Sequence, residues 1–78
     1  MKAKEMFEEL GYEQSINKKY TLEYRYYTYT DTWRVRFKKN NKKLYINGEI
    51  TDYKELTNIN NDIFKAINKQ IEELGWNK

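Results

Sequence analysis

Chemistry in this chain is carried by cations and phenols. Arg25, Tyr27, Tyr29, Arg34, Arg36, Lys38, Lys43 and Tyr45 fall at alternate positions of three short stretches, and alternation in an extended chain puts side chains on one side. Guanidinium and ammonium groups bind phosphate or carboxylate, and phenol rings offer flat faces to unpaired bases or to the buried centre of a protein interface. The eight residues are therefore the candidate partner-binding set. Two partners suit them: a protein, a second copy of this chain included, or a nucleic acid, single-stranded in preference to duplex. Stacking on an aromatic ring is worth about 1–3 kcal/mol per base and needs bases that are not already paired.

Catalysis finds little to work with. The 78 residues contain no histidine and no cysteine, which removes the commonest general base, thiolate nucleophiles, and imidazole or thiolate metal ligands. Glu8 with Glu9 and Glu72 with Glu73 are neighbours on polar helix faces, where no cleft tunes a carboxylate. Gly11, Gly48 and Gly75 stand alone, so there is no phosphate-cradling loop. A carboxylate-only cation site from Glu49, Asp52 and Glu55 is weighed below helix capping by the same residues. The expectation is a non-enzymatic binding protein without cofactor or metal.

Charge is unevenly spread. Between Lys18 and Lys43 nine basic residues face only Glu23 and Asp31, a local +7 within a chain of net +3, which leaves the flanks at −4. A basic centre between acidic ends attracts anionic partners even when the total is small. The start, Met1-Lys2-Ala3-Lys4-Glu5, runs directly into an amphipathic pattern with no apolar stretch. That is the pattern of a soluble cytoplasmic protein with no membrane association.

The elements that must position the eight residues follow from periodicity. Ala3, Met6, Phe7 and Leu10 recur at helical spacing, which predicts a helix over about 2–10 that ends at Gly11 with Tyr12 folded back. Residues 13–19 read as a loop. Strands are expected at about 20–29, 33–38 and 43–47, with Leu22, Tyr24, Trp33, Val35, Phe37, Leu44 and Ile46 inward. An Asn40-Asn41 turn sets Phe37 against Leu44; an Asp31-Thr32 turn sets Tyr26 against Phe37. That register makes outward rows of Tyr27, Arg36 and Tyr45, and of Arg25, Lys38 and Lys43, the second crowding like charges that an anion would relieve.

Asn47-Gly48 signals another turn, after which Ile50 adds a core contact. Asp52 and Glu55 have capping-box spacing, which predicts a helical turn over about 52–57. A break through Thr57-Asn58-Ile59-Asn60-Asn61 follows, and then a helix over about 60–74 with Ile63, Ile67, Ile71 and Leu74 on its core face. Gly75-Trp76 ends it as Gly11-Tyr12 ends the first helix. The sum is one α+β domain over 1–78: two layers, α-β-β-β-α, with a three-stranded antiparallel meander, both helices on one face and the other face open.

This order resembles the double-stranded-RNA-binding domain fold. In that family the second helix opens with a lysine-rich phosphate-binding motif, whereas here Asn58, Ile59, Asn60, Asn61 and Asp62 hold that region, so duplex recognition in that manner is not expected. The ends EMFEELGYE and AINKQIEELGW resemble small phage and prophage proteins of Gram-positive bacteria. That resemblance covers most of the chain, and it implies no activity and no site residues.

Overall fold

A computed structural model describes residues 1–54 and 61–77. The class is α+β, with two helices and an open antiparallel sheet: α1 (Ala3–Glu9), β1 (Glu13–Asn17), β2 (Thr21–Tyr27), β3 (Thr32–Lys38), β4 (Lys43–Ile46), β5 (Glu49–Thr51) and α2 (Asp62–Leu74). The sheet order β1-β2-β3-β4-β5 is a simple meander. It has five strands where the sequence predicts three. Both additions are edges.

β1 occupies the expected loop at 13–19. Its register against β2 shifts between Gln14 and Ile16, so the alternation that betrays a strand is broken at Ser15. β5 follows Asn47 (φ 53°) and Gly48 (φ 83°), a two-residue turn whose positive φ angles suit a tight hairpin. Its register places Ile50 opposite Tyr45, away from the core, and Ile50 is 60% exposed. The expected core contact there is overturned.

The expected register of β3 with β4 holds: Phe37 faces Leu44 and Val35 faces Ile46. The connection differs, since it spans Lys39–Lys42 and takes its positive φ at Lys42 (54°) instead of at the asparagines. Between β2 and β3 the pairing slides by four residues. Leu22, not Tyr26, faces Phe37, and Tyr24 faces Val35. An even slide keeps every side chain on its expected face while carrying Leu22 and Tyr24, instead of Tyr26 and Thr28, under the helices. Thr28 closes the longer connection: its N–H donates to Asp31 O (2.8 Å), and its Oγ1 accepts from Asp31 N (2.9 Å).

Both helices pack on the inward face, where Phe7, Leu22, Tyr24, Val35, Phe37, Leu44, Ala66, Ile67, Ile71 and Trp76 form one core. Phe7 stacks on Tyr24 with ring centroids 3.9 Å apart. The Tyr24 hydroxyl donates to Gln70 Oε1 at 2.6 Å, so the buried polar pair satisfies itself. Trp33, expected inside, is on the helix side of β3 but 46% exposed, lining a small cavity with Ile63, Phe64 and Ile67 of α2 instead of filling the core. Tyr26 lies against Gly11 and Tyr12 at the rim.

Each helix ends the same way. Tyr12 N–H reaches Phe7 O and Gly11 N–H reaches Glu8 O; Trp76 N–H reaches Ile71 O and Gly75 N–H reaches Glu72 O. This is the double hydrogen bond of a left-handed glycine terminus, which folds Tyr12 and Trp76 back onto the core. The repeated Glu-Glu-Leu-Gly-aromatic segments are thus one capping device used twice. Glu73 adds a tertiary cap, accepting Ala3 N–H at 2.7 Å and joining α2 to the start of α1. At the other end of α2, Asn61 is extended (φ −139°, ψ 143°) and its side chain accepts Ile63 N–H, so the helix starts at Asp62. Asp52 Oδ1 accepts Lys54 N–H at 3.0 Å. The remainder of the expected 52–57 turn, and residues 57–60 of the expected break, lie outside the described residues.

Candidate binding face

With both helices on one side, the opposite side of the strands is built from Thr21, Glu23, Arg25 and Tyr27 of β2, Arg34, Arg36 and Lys38 of β3, and Lys43 and Tyr45 of β4. Seven of the eight predicted residues are therefore on one face. Tyr29 is not: it sits fully exposed in the Thr28–Asp31 connection, off the sheet.

The predicted rows change with the register. Arg36 lies between Glu23 and Tyr45, and the row continues to Ile50 on β5. Tyr27 is opposite Thr32, four residues along β3 from Arg36, so no cation sits between two phenols. Lys38 lies between Thr21 and Lys43, and Arg25 faces Arg34. The triple cation row is replaced by two like-charge pairs.

At the centre is a residue whose role sequence reasoning missed. Glu23 is on the solvent side of the sheet yet 0% exposed. Its Oε2 accepts from Arg25 Nε (2.7 Å) and Ser15 Oγ (2.8 Å), and its Oε1 accepts from Arg36 Nε (3.0 Å) and pairs with Arg36 Nη2 (2.9 Å). Ser15 reaches it from the solvent side of β1, next in the chain to Gln14, which meets Tyr24 on the helix side. Desolvation pushes the Glu23 pKa up, but the hydrogen bonds from Arg25 and Ser15, with the charge and hydrogen bond of Arg36, outweigh it, and the net shift is downward. The carboxylate stays ionised. The chain thus supplies an anion to two of the cations, Arg25 and Arg36.

Glu23 fixes the guanidinium groups of Arg25 and Arg36, whose side chains stay 31% and 37% exposed. Among the described residues no carboxylate lies within ion-pair distance of Arg34, Lys38 or Lys43. Glu23, Arg34, Arg36, Lys38, Tyr45 and Gly48 line a depression of about 250 Å³. Next to Gly48, Asn47 fixes the backbone of Arg34, donating its N–H to Arg34 O and accepting Arg34 N–H on Oδ1, both at 2.9 Å. What the face can do chemically is hold an anionic group against fixed and free cations, beside Tyr45 and the exposed Ile50. Among the described residues no three carboxylates converge as a metal site, and Glu55 lies outside them. Nor is any described helix long and apolar enough to cross a membrane. No protein-family profile, curated protein or solved structure matches this chain.

Proposed function

We propose that this is a non-enzymatic, cytoplasmic protein-interaction module that docks a partner protein on the solvent side of its sheet. The observation that carries the reading is the composition of the Glu23–Arg36–Tyr45–Ile50 row: a buried carboxylate holding a part-exposed guanidinium, then a half-buried phenol, then an exposed aliphatic side chain. Arginine and tyrosine around a desolvated centre are the residue types that dominate protein interfaces, and a pinned guanidinium loses little freedom when it binds.

Nucleic acid fits the same face less well. Stacking on a sheet needs rings in neighbouring rows, and Tyr27 and Tyr45 are separated along the strands while Tyr29 is off the sheet. The row that carries the fixed guanidinium ends in isoleucine, which offers a phosphodiester chain neither charge nor a ring to stack on.

Photo-crosslinking tests the reading. A benzophenone side chain introduced at Ile50 should capture one discrete protein from extracts of the producing cells, while the same group at exposed Lys65 on α2 should not. Equal capture at both positions, or capture of nucleic acid at Ile50, overturns it.

A further inference from the structure

Resting on the outer face as the docking surface, we propose that the partner presents an extended acidic segment, with carboxylates at alternate residues, laid along β3. Arg34, Arg36 and Lys38 share the outer side of one strand at successive alternate positions, which sets them about 6.7 Å apart. Alternate side chains of an extended peptide have the same repeat. A segment of the form Glu-x-Glu-x-Glu therefore meets the three cations in register, whereas consecutive glutamates send every second carboxylate away.

The depression at this ladder selects the size of group. At about 250 Å³ it is below the range that encloses a drug-sized ligand, and it suits a side-chain carboxylate. Its charge selects the sign. Glu23 is on the floor, but both its oxygens are taken, Oε1 by Arg36 and Oε2 by Arg25 and Ser15. Arg36 points its Nη1 donors at no acceptor among the described residues. Arg34 and Lys38 have no carboxylate partner there either, so an incoming carboxylate meets one cation held in place by Glu23 and two whose charge is left unpaired. From Val35 to Lys38 the backbone of β3 is paired with both β2 and β4, and that of Arg34 with Asn47, so the segment binds through side chains and not as an added strand.

Fluorescence polarisation at low and moderate salt decides it, with three labelled probes against the full chain. They are an alternating Glu-Thr octapeptide, an octapeptide of four glutamates followed by four threonines, and an eight-nucleotide oligothymidylate. The alternating peptide should bind roughly tenfold or more tighter than the block peptide, the value of one further charged contact. Amide shifts should run along β3, and the R34S/K38S double variant, which leaves the Glu23 pairs intact, should lose that advantage. Equal affinity for the two peptides, tighter binding of the oligonucleotide, no binding at low salt, or shifts confined to the helices overturns the proposal. If Ile50 still captures a protein while both peptides fail, the docking face stands and the acidic ligand falls. If Ile50 captures nothing as well, both fall.

Discussion

At the scale of single residues, Glu23 is the group on which the outer face depends. Replacing it with glutamine removes the charge but keeps the volume, and leaves Arg25 and Arg36 facing an amide. Removing one partner of a fully buried pair costs about 3–5 kcal/mol, but both arginines are partly exposed and regain water, so about 2–3 kcal/mol is expected from chemical denaturation at neutral pH. The pH dependence identifies the cause. A carboxylate with a lowered native pKa contributes stability that is complete above its unfolded value near 4.5 and is lost as pH falls through the lowered native value. The gap between wild type and Glu23→Gln should thus be constant above that pH and close below it; a gap that persists in acid would mean lost packing instead. On the other side of the sheet, Tyr24→Phe strands the buried Gln70 carbonyl and should cost about 1–3 kcal/mol in the same assay, with no pH dependence in acid.

At the scale of elements, the two helix termini share hydrogen bonding and differ in surroundings. Gly75 has φ 74° and open space where a Cβ would go, so Gly75→Ala costs only the left-handed backbone, about 1 kcal/mol. At Gly11 (φ 92°) the Cβ would sit 2.6 Å from the Tyr26 ring, and that ring must move as well. Gly11→Ala should therefore cost about 2–3 kcal/mol, and its thermal midpoint should fall below that of Gly75→Ala. Equal midpoints would show that Tyr26 shifts freely. These caps were legible in sequence because glycine and an aromatic after a helical stripe have few other uses. The faces of β2, β3 and β4 were legible too, because burial on one side enforces strict alternation. The β2–β3 pairing was not: Leu22, Tyr24 and Tyr26 are interchangeable as apolar residues, and only the position of the helices decides which are covered. β1 was hidden by the irregularity at Ser15, and β5 by having only three residues, although Asn47-Gly48 marked its turn. Glu23 was visible as a lone acid among cations on an outward face. Its burial was not, because that depends on Ser15, which sits on the strand the pattern concealed.

At the scale of the whole molecule, the acidic helices and basic sheet leave a surplus of positive charge on the face that no helix covers. Lys38 is directly opposite Lys43, and Arg25 directly opposite Arg34. Glu23 offsets only the part of this repulsion that reaches Arg25 and Arg36. Like charges opposite one another on a sheet destabilise it, and an opposite pair there contributes roughly 0.2–1 kcal/mol. A chain selected for stability alone would not keep the Lys38–Lys43 pair, so Lys43→Glu, which makes an attractive pair from a repulsive one, should raise the thermal midpoint. Added salt should screen the repulsion and stabilise the wild type by a few tenths of a kcal/mol, with a smaller effect on the variant. The same substitution places a negative charge beside the depression and should weaken any acidic ligand. Stability and binding moving in opposite directions is the behaviour of residues kept for recognition. If Lys43→Glu instead destabilises the fold, the lysines are held by structural contacts and the cationic face loses its strongest argument for function.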